Sequence, residues 1–116
     1  MKAFEIVETA VKALDSKKGH EIRALKVEDL TVIAEYFVIA TANSSTQVRA
    51  LAEEVEYQLD LKDTPVHHIE GRGSNWILLD YGSVIVHVFH REARDFYSLD
   101  LTWADAENVD IEKFLS

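Results

Sequence analysis

The spacing of apolar residues changes several times along the chain, and each change marks an element. Phe4, Val7, Val11 and Leu14 recur every three or four residues, which is one face of a helix. Glu5 and Glu8 near its start and Lys17 and Lys18 near its end suit the helix dipole, and Gly19 offers a stop. The pattern predicts a helix over roughly residues 3–17. Residues 22–27, IRALKV, mix polar and apolar positions and predict an edge or half-exposed strand. Residues 36–42, YFVIATA, are nearly all apolar or β-favouring and predict a central strand buried on both faces. Ser44 and Gln47 then stand at capping-box spacing. Val48, Leu51, Val55 and Leu59 form the buried stripe of a second helix, with Arg49, Glu53, Glu54 and Glu56 toward water.

The second half predicts more sheet. Residues 66–70 read as a short strand, and Gly71-Arg72-Gly73-Ser74-Asn75 as a flexible turn. Two β-favouring runs, 76–81 and 84–89, flank Gly82-Ser83, the pattern of a β-hairpin. A charged helical stretch, 91–97, follows. The tail ADAENVDIEKFLS is predicted to be weakly ordered or a loosely packed helix. The order α-β-β-α-β-β-β-α implies an α/β fold with a mixed five-stranded sheet flanked by helices. With 116 residues there is one core, expected in residues 1–103, and an acidic tail over 104–116.

Composition narrows the chemistry. Cysteine is absent, so there is no thiolate nucleophile, no disulfide and no cysteine-based zinc site. The first nineteen residues place glutamates among apolar positions, unlike a signal peptide, and no apolar run is long enough to cross a bilayer. A cytoplasmic location is expected. The formal charge of −9 disfavours non-specific binding to a phosphate backbone, which depends on Lys and Arg. A partner in a nucleic-acid-rich machine would then be a basic protein surface.

Five histidines raise a metal site. His67 and His68 are neighbours in a strand and point to opposite faces. His87 and His90, even with Glu92, match no defined metal spacing, and His87 reads better as a core or interface histidine. Gly71-Arg72-Gly73-Ser74 leads into a strand and lacks the glycine-lysine of a phosphate loop. Ser44-Ser45-Thr46 is explained by capping. No nucleophile sits on a glycine-flanked elbow, and Asp80 has no partner acid at alternate spacing. The pattern therefore predicts no catalytic residue, metal or cofactor. Trp76 stands out, because it opens a strand directly after a polar turn. Alternation puts Trp76, Leu78 and Asp80 on one face and Ile77, Leu79 and Tyr81 on the other. A partly exposed tryptophan beside an aliphatic and an acid suits an interface anchor, although it also suits a side chain that covers the sheet edge.

The stretches EYFVIATANSSTQVRALAEEVE (35–56), Glu70-Gly71, WILLDYGSVIVHVFHREARDFYSLD (76–100) and Trp103 together resemble the ribosomal silencing factor family, also called RsfS or Iojap. The resemblance covers nearly everything before the tail. It implies a nucleotidyltransferase-like fold without the catalytic carboxylates. It also implies binding to the large ribosomal subunit at its protein L fourteen, which blocks joining of the small subunit and represses translation. Partner-binding residues would be Trp76, Leu78, Asp80 and Tyr81, with Glu70 close in sequence. Glu35, Ala42, Asp100 and Thr102 depart mildly from the family pattern. This reading involves no sequence-specific nucleic-acid contact and no membrane, and it admits a homodimer of the free protein. The rival class is a nucleotidyltransferase-like enzyme acting on nucleotide or RNA, which would need two or three carboxylates on adjacent strands to hold magnesium.

Overall fold

The elements run α1 (Ala3–Ser16), β1 (His20–Lys26), β2 (Tyr36–Ala42), α2 (Ser45–Asp60), β3 (His68–Glu70), β4 (Trp76–Asp80), β5 (Val84–His90) and β6 (Glu107–Val109), then a 3-10 turn at Glu112–Phe114. The computed structural model describes residues 1–93 and 106–115. One mixed sheet has the order β3-β4-β5-β2-β1-β6. β2 and β5 pair in parallel over seven residues, from Tyr36↔Val84 to Ala42↔His90. The other four pairings are antiparallel. The strand predicted as central is central: β2 is buried from Phe37 to Ala42.

Both helices pack on one face of the sheet. Val7, Val11 and Leu14 of α1 and Val48, Leu51, Val55 and Leu59 of α2 are almost fully buried, as the periodicity requires. Their core includes Val38, Ala40, Val84, Val86 and Val88 from the two central strands. Phe4 is more exposed than the rest of its stripe, and its ring meets Tyr36 and Phe114 edge-on.

The two helices are joined through their ends. Lys18 N–H donates to the Asp15 carbonyl and Gly19 N–H to the Leu14 carbonyl, both at 2.9 Å, which closes α1 in a Schellman pattern. The left-handed residue is Lys18, with φ 62°, and not the glycine after it. Gly19 is needed for space, since a Cβ there would lie 3.1 Å from the Leu14 carbonyl oxygen and 3.4 Å from a Leu51 methyl. At the start of α2, Ser44 Oγ accepts the Gln47 N–H at 3.0 Å. The Gln47 side chain reaches back to the amide of Asn43, at 2.8 Å, one residue before the expected cap amide. Its amide group also donates to the Lys18 carbonyl at 3.1 Å, tying the end of one helix to the start of the next.

Two expectations are corrected. The sheet has six strands, not five, because residues 107–109 pair with β1. That tail strand covers one side of β1, which is half-exposed, as one of the two expected readings had it, but is not an edge. The tail is neither weakly ordered nor a loose helix over its described residues: Ile111 and Phe114 are buried against the helix-side core. Its few apolar positions are too sparse for a period to show, but Ala106, Val109, Ile111 and Phe114 pack against the core. Lys113 Nζ also sits 5.5 Å from the Phe4 ring centre and 5.4 Å from that of Phe114. The helix predicted over 91–97 is helical at 91–93, and the rest of that expectation lies outside the described residues.

Replacing Phe114 with alanine should therefore cost about 3–5 kcal/mol of stability, as for other buried aromatics. Urea denaturation checks this, and an unchanged midpoint would mean that the tail is not docked.

Candidate functional site

β4 presents two faces by simple alternation. Ile77 and Leu79 are buried toward the helices, while Trp76, Leu78 and Asp80 point to the opposite face and remain half-buried. Hairpin register sets what lies beside them. Trp76 falls opposite Phe89, Leu78 opposite His87 and Asp80 opposite Ile85 on β5. On the other side, Glu70 falls opposite Leu78 and His68 opposite Asp80. Directly opposed residues share a face, so Glu70, Trp76, Leu78 and Asp80 stand together. Glu70, Gly71, Trp76 and Leu78 line a shallow cavity of about 250 Å³.

Trp76 is less free than its place after a polar turn suggested. Its ring stacks on Phe89, with centroids 4.8 Å apart and planes at 27°. Its indole Nε1–H donates to Nδ1 of His87 at 3.2 Å. Such an aromatic pair adds about 0.5–1.5 kcal/mol beyond the area it buries. The ring is thus fixed from below by Phe89 and at its polar end by His87. The predicted hairpin already contained this: with Gly82-Ser83 at the turn, Trp76 must meet Phe89 and Leu78 must meet His87.

His87 is only 5% exposed. Its ring meets Phe37 edge-on at 4.9 Å. Because Nδ1 accepts from the indole, a neutral ring carries its proton on Nε2. That nitrogen has no hydrogen-bond partner among the described residues. Burial holds the His87 pKa down at about 4, against an ordinary 6.5. His87 is therefore a neutral acceptor in the fold.

The turn before β4 is built for close approach. Gly71 has φ +85°, and a Cβ on it would come within 2.0 Å of the Trp76 carbonyl oxygen. Ser74 Oγ donates to the Gly71 carbonyl at 2.7 Å and lies 2.9 Å from the Trp76 carbonyl. Arg72 pairs with Glu56 of α2 at 3.1 Å. The Gly-rich segment is thus a turn that delivers Trp76, as the sequence implied.

The acids have assigned partners. Glu70 meets His68 Nε2 at 3.1 Å on the exposed edge strand. Asp80 Oδ1 accepts the Gly82 N–H at 2.7 Å, which shapes the turn into β5. Tyr81, placed with the partner-binding residues by resemblance, is not brought together with the others. It is 4% exposed, inside the helix-side core. Burial, with the Glu56 and Asp60 carboxylates nearby, pushes its hydroxyl pKa up. Trp103 lies outside the described residues. Among the described residues no three His, Asp or Glu side chains are grouped to hold a metal ion. His87 and His90 alternate to opposite faces of β5, and His90 Nδ1 accepts the Glu92 N–H.

The α/β sheet thus carries an aromatic patch with acids beside it over a buried strand face. The family model described as ribosomal silencing factor during starvation matches residues 1–116. The chain belongs to the ribosomal silencing factor family, RsfS. A ribosomal silencing factor of Bacillus subtilis is 38% identical over 113 residues, 97% of this chain and 96% of that protein. One from Halalkalibacterium halodurans is 36% identical and covers 97% of each chain. A crystal structure of a Chromobacterium violaceum protein superposes with a TM-score of 0.87 at 34% identity, over 90% of this chain and 88% of that one.

The His87 environment predicts a pH dependence. In the unfolded chain His87 takes up a proton near pH 6.5, but in the fold only near about 4. The unfolded state therefore binds more protons between those values, and stability falls as pH drops through that window. The contribution is complete above 6.5, is lost by about 4, and is on the order of 3 kcal/mol. Urea unfolding of wild type and His87→Gln at pH 7.5 and 4.5 checks this. The variant should lose less stability on acidification, and parallel losses would contradict the assignment.

Proposed function

We propose that this protein binds the large ribosomal subunit at its protein L fourteen, blocks joining of the small subunit and so represses translation. The observation that carries the reading is the convergence of Glu70, Trp76 and Leu78 on one cavity, in a chain of the ribosomal silencing family. A partner's apolar side chain can enter between Trp76 and Leu78. Glu70 and Asp80 flank that entry and suit a basic rim. Tyr81 supports the strand from behind and does not touch the partner. The net charge of −9 favours a basic protein over exposed ribosomal RNA. Obstruction is steric: once the surface is occupied, the other subunit cannot dock, and no cofactor or catalytic group is involved. The site of action is the cytoplasm.

Purified protein should co-sediment with isolated large subunits and not with isolated small ones. Equal sedimentation with both, or with neither, would refute the proposal. Trp76→Ala should still fold, with a lower melting temperature because the stack on Phe89 is lost. Its affinity for large subunits should fall at least tenfold, a loss of ~2 kcal/mol or more, as faster dissociation. A folded variant with wild-type affinity would place the docking face elsewhere.

A further inference from the structure

The loop between β1 and β2, residues 27–35, shows its apolar side chains to solvent. Val32 is 103% exposed, Ile33 61% and Leu30 49%. Eight large apolar residues are exposed among the described residues, and these three fall within four positions. Scattered single apolar residues at a surface need no explanation, but a cluster does.

The loop is shaped and held at both ends. Val27 is fully buried and Ala34 nearly so. Val27 N–H donates to the Glu35 carbonyl at 2.8 Å and closes the loop. Leu30 and Thr31 N–H both return to the Val27 carbonyl, at 2.9 and 3.0 Å. Thr31 Oγ1 accepts the Ile33 N–H at 3.3 Å. These bonds hold the ends and leave Leu30, Val32 and Ile33 at the tip. The same loop is stitched to the turn after Asp80, where Glu35 and Tyr36 N–H both donate to the Ser83 carbonyl, at 2.8 and 3.1 Å. The base of the loop therefore sits beside the turn after β4, at the Asp80 end of the Trp76, Leu78, Asp80 strip. Five residues of strand span roughly 13 Å, so a partner seated on the strip and reaching past its Asp80 end would need only an ordinary interface to meet the loop.

Charge selects the occupant. Asp29 and Glu35 are exposed around the aliphatic tip, and the nearby Lys26 is paired with Glu28 at 3.1 Å. An acidic rim repels phosphate and anionic lipid, and it would face its own acids in a second copy. It suits a protein with an apolar socket rimmed by Lys or Arg. We infer that the 27–35 loop is a second anchor on the docking surface of this factor, seating Val32 and Ile33 in a basic-rimmed socket of the same large-subunit protein that Trp76 meets. The inference rests on the proposed function above.

Binding of isolated large subunits by wild type, the Val32→Ser/Ile33→Ser double variant and the Asp29→Lys/Glu35→Lys double variant tests it, with thermal unfolding and light scattering alongside. The serine variant should melt as wild type, since both side chains are exposed, and should bind at least tenfold more weakly through faster dissociation. The lysine variant should associate more slowly and lose part of the salt dependence of association. Wild type that fails to bind large subunits overturns the proposed function and this inference together. Wild type that binds, with both variants folded and equal to it, overturns the second anchor alone. Two further results also overturn it. One is a wild-type dimer made monomeric by the serine substitutions at unchanged subunit affinity. The other is loop-dependent flotation with phosphatidylglycerol vesicles.

Discussion

The parallel pairing of β2 with β5 is the contact on which the rest of the molecule depends. The two strands lie more than forty residues apart in sequence, and everything between them must pack for the seven-residue ladder to close. Closing such a loop costs entropy, which burial on both faces must offset. The ladder is accordingly the driest part of the fold, with every residue of β5 from Val84 to Phe89 buried. Its two faces do different jobs. Val38, Ala40, Val84, Val86 and Val88 accept the helices, small enough to let α1 and α2 sit close. Phe37, Ile39, Ile85 and Phe89 build the second face, where the larger side chains stand.

His87 is the exception on that second face, and its position explains Trp76. A neutral imidazole among Phe37, Phe89 and Trp76 behaves largely as an aromatic, with one acceptor turned toward the indole. A leucine there would fill similar space but leave the indole N–H without this acceptor, at a cost of about 1–3 kcal/mol if it stayed buried. The tryptophan is therefore oriented before any partner arrives. In the docking role proposed for it, a tryptophan held in place by Phe89 and His87 would lose little side-chain entropy on binding, and that saving would go into affinity.

Much of this was legible in the chain. Helix stripes, the central strand, the hairpin and the face shared by Trp76, Leu78 and Asp80 all follow from periods of 3.6 and 2, and the structure keeps them. The misses have physical causes. Residues 107–109 carry no strand signal, because a three-residue strand on the end of a sheet is made by its neighbour β1 and not by its own composition. Tyr81 had the right alternation but was grouped with the face it does not share, since resemblance along a stretch says nothing of which side each residue faces. Trp76 was judged from the turn before it, while its burial comes from Phe89 across the hairpin. Phe89 could have been found from the hairpin register alone. The left-handed Lys18 was not legible, because glycine one position later drew the expectation and is needed instead for close packing on Leu51.

The division of labour between the two sheet faces also bears on the rival enzymatic reading. On the described part of the second face, the acid of β4, Asp80, is committed to the Gly82 amide, and across the ladder it meets His68 and Ile85. A metal-dependent reaction needs carboxylates converging on one ion, free to bind it. Here Asp80 ends the Trp76, Leu78, Asp80 row of β4, and Glu70 lies across from Leu78 on β3, where it meets His68. Among the described residues no three such groups gather to hold a cation; in the docking proposed above, Glu70 and Asp80 would each meet a different Lys or Arg while the apolar centre excluded water.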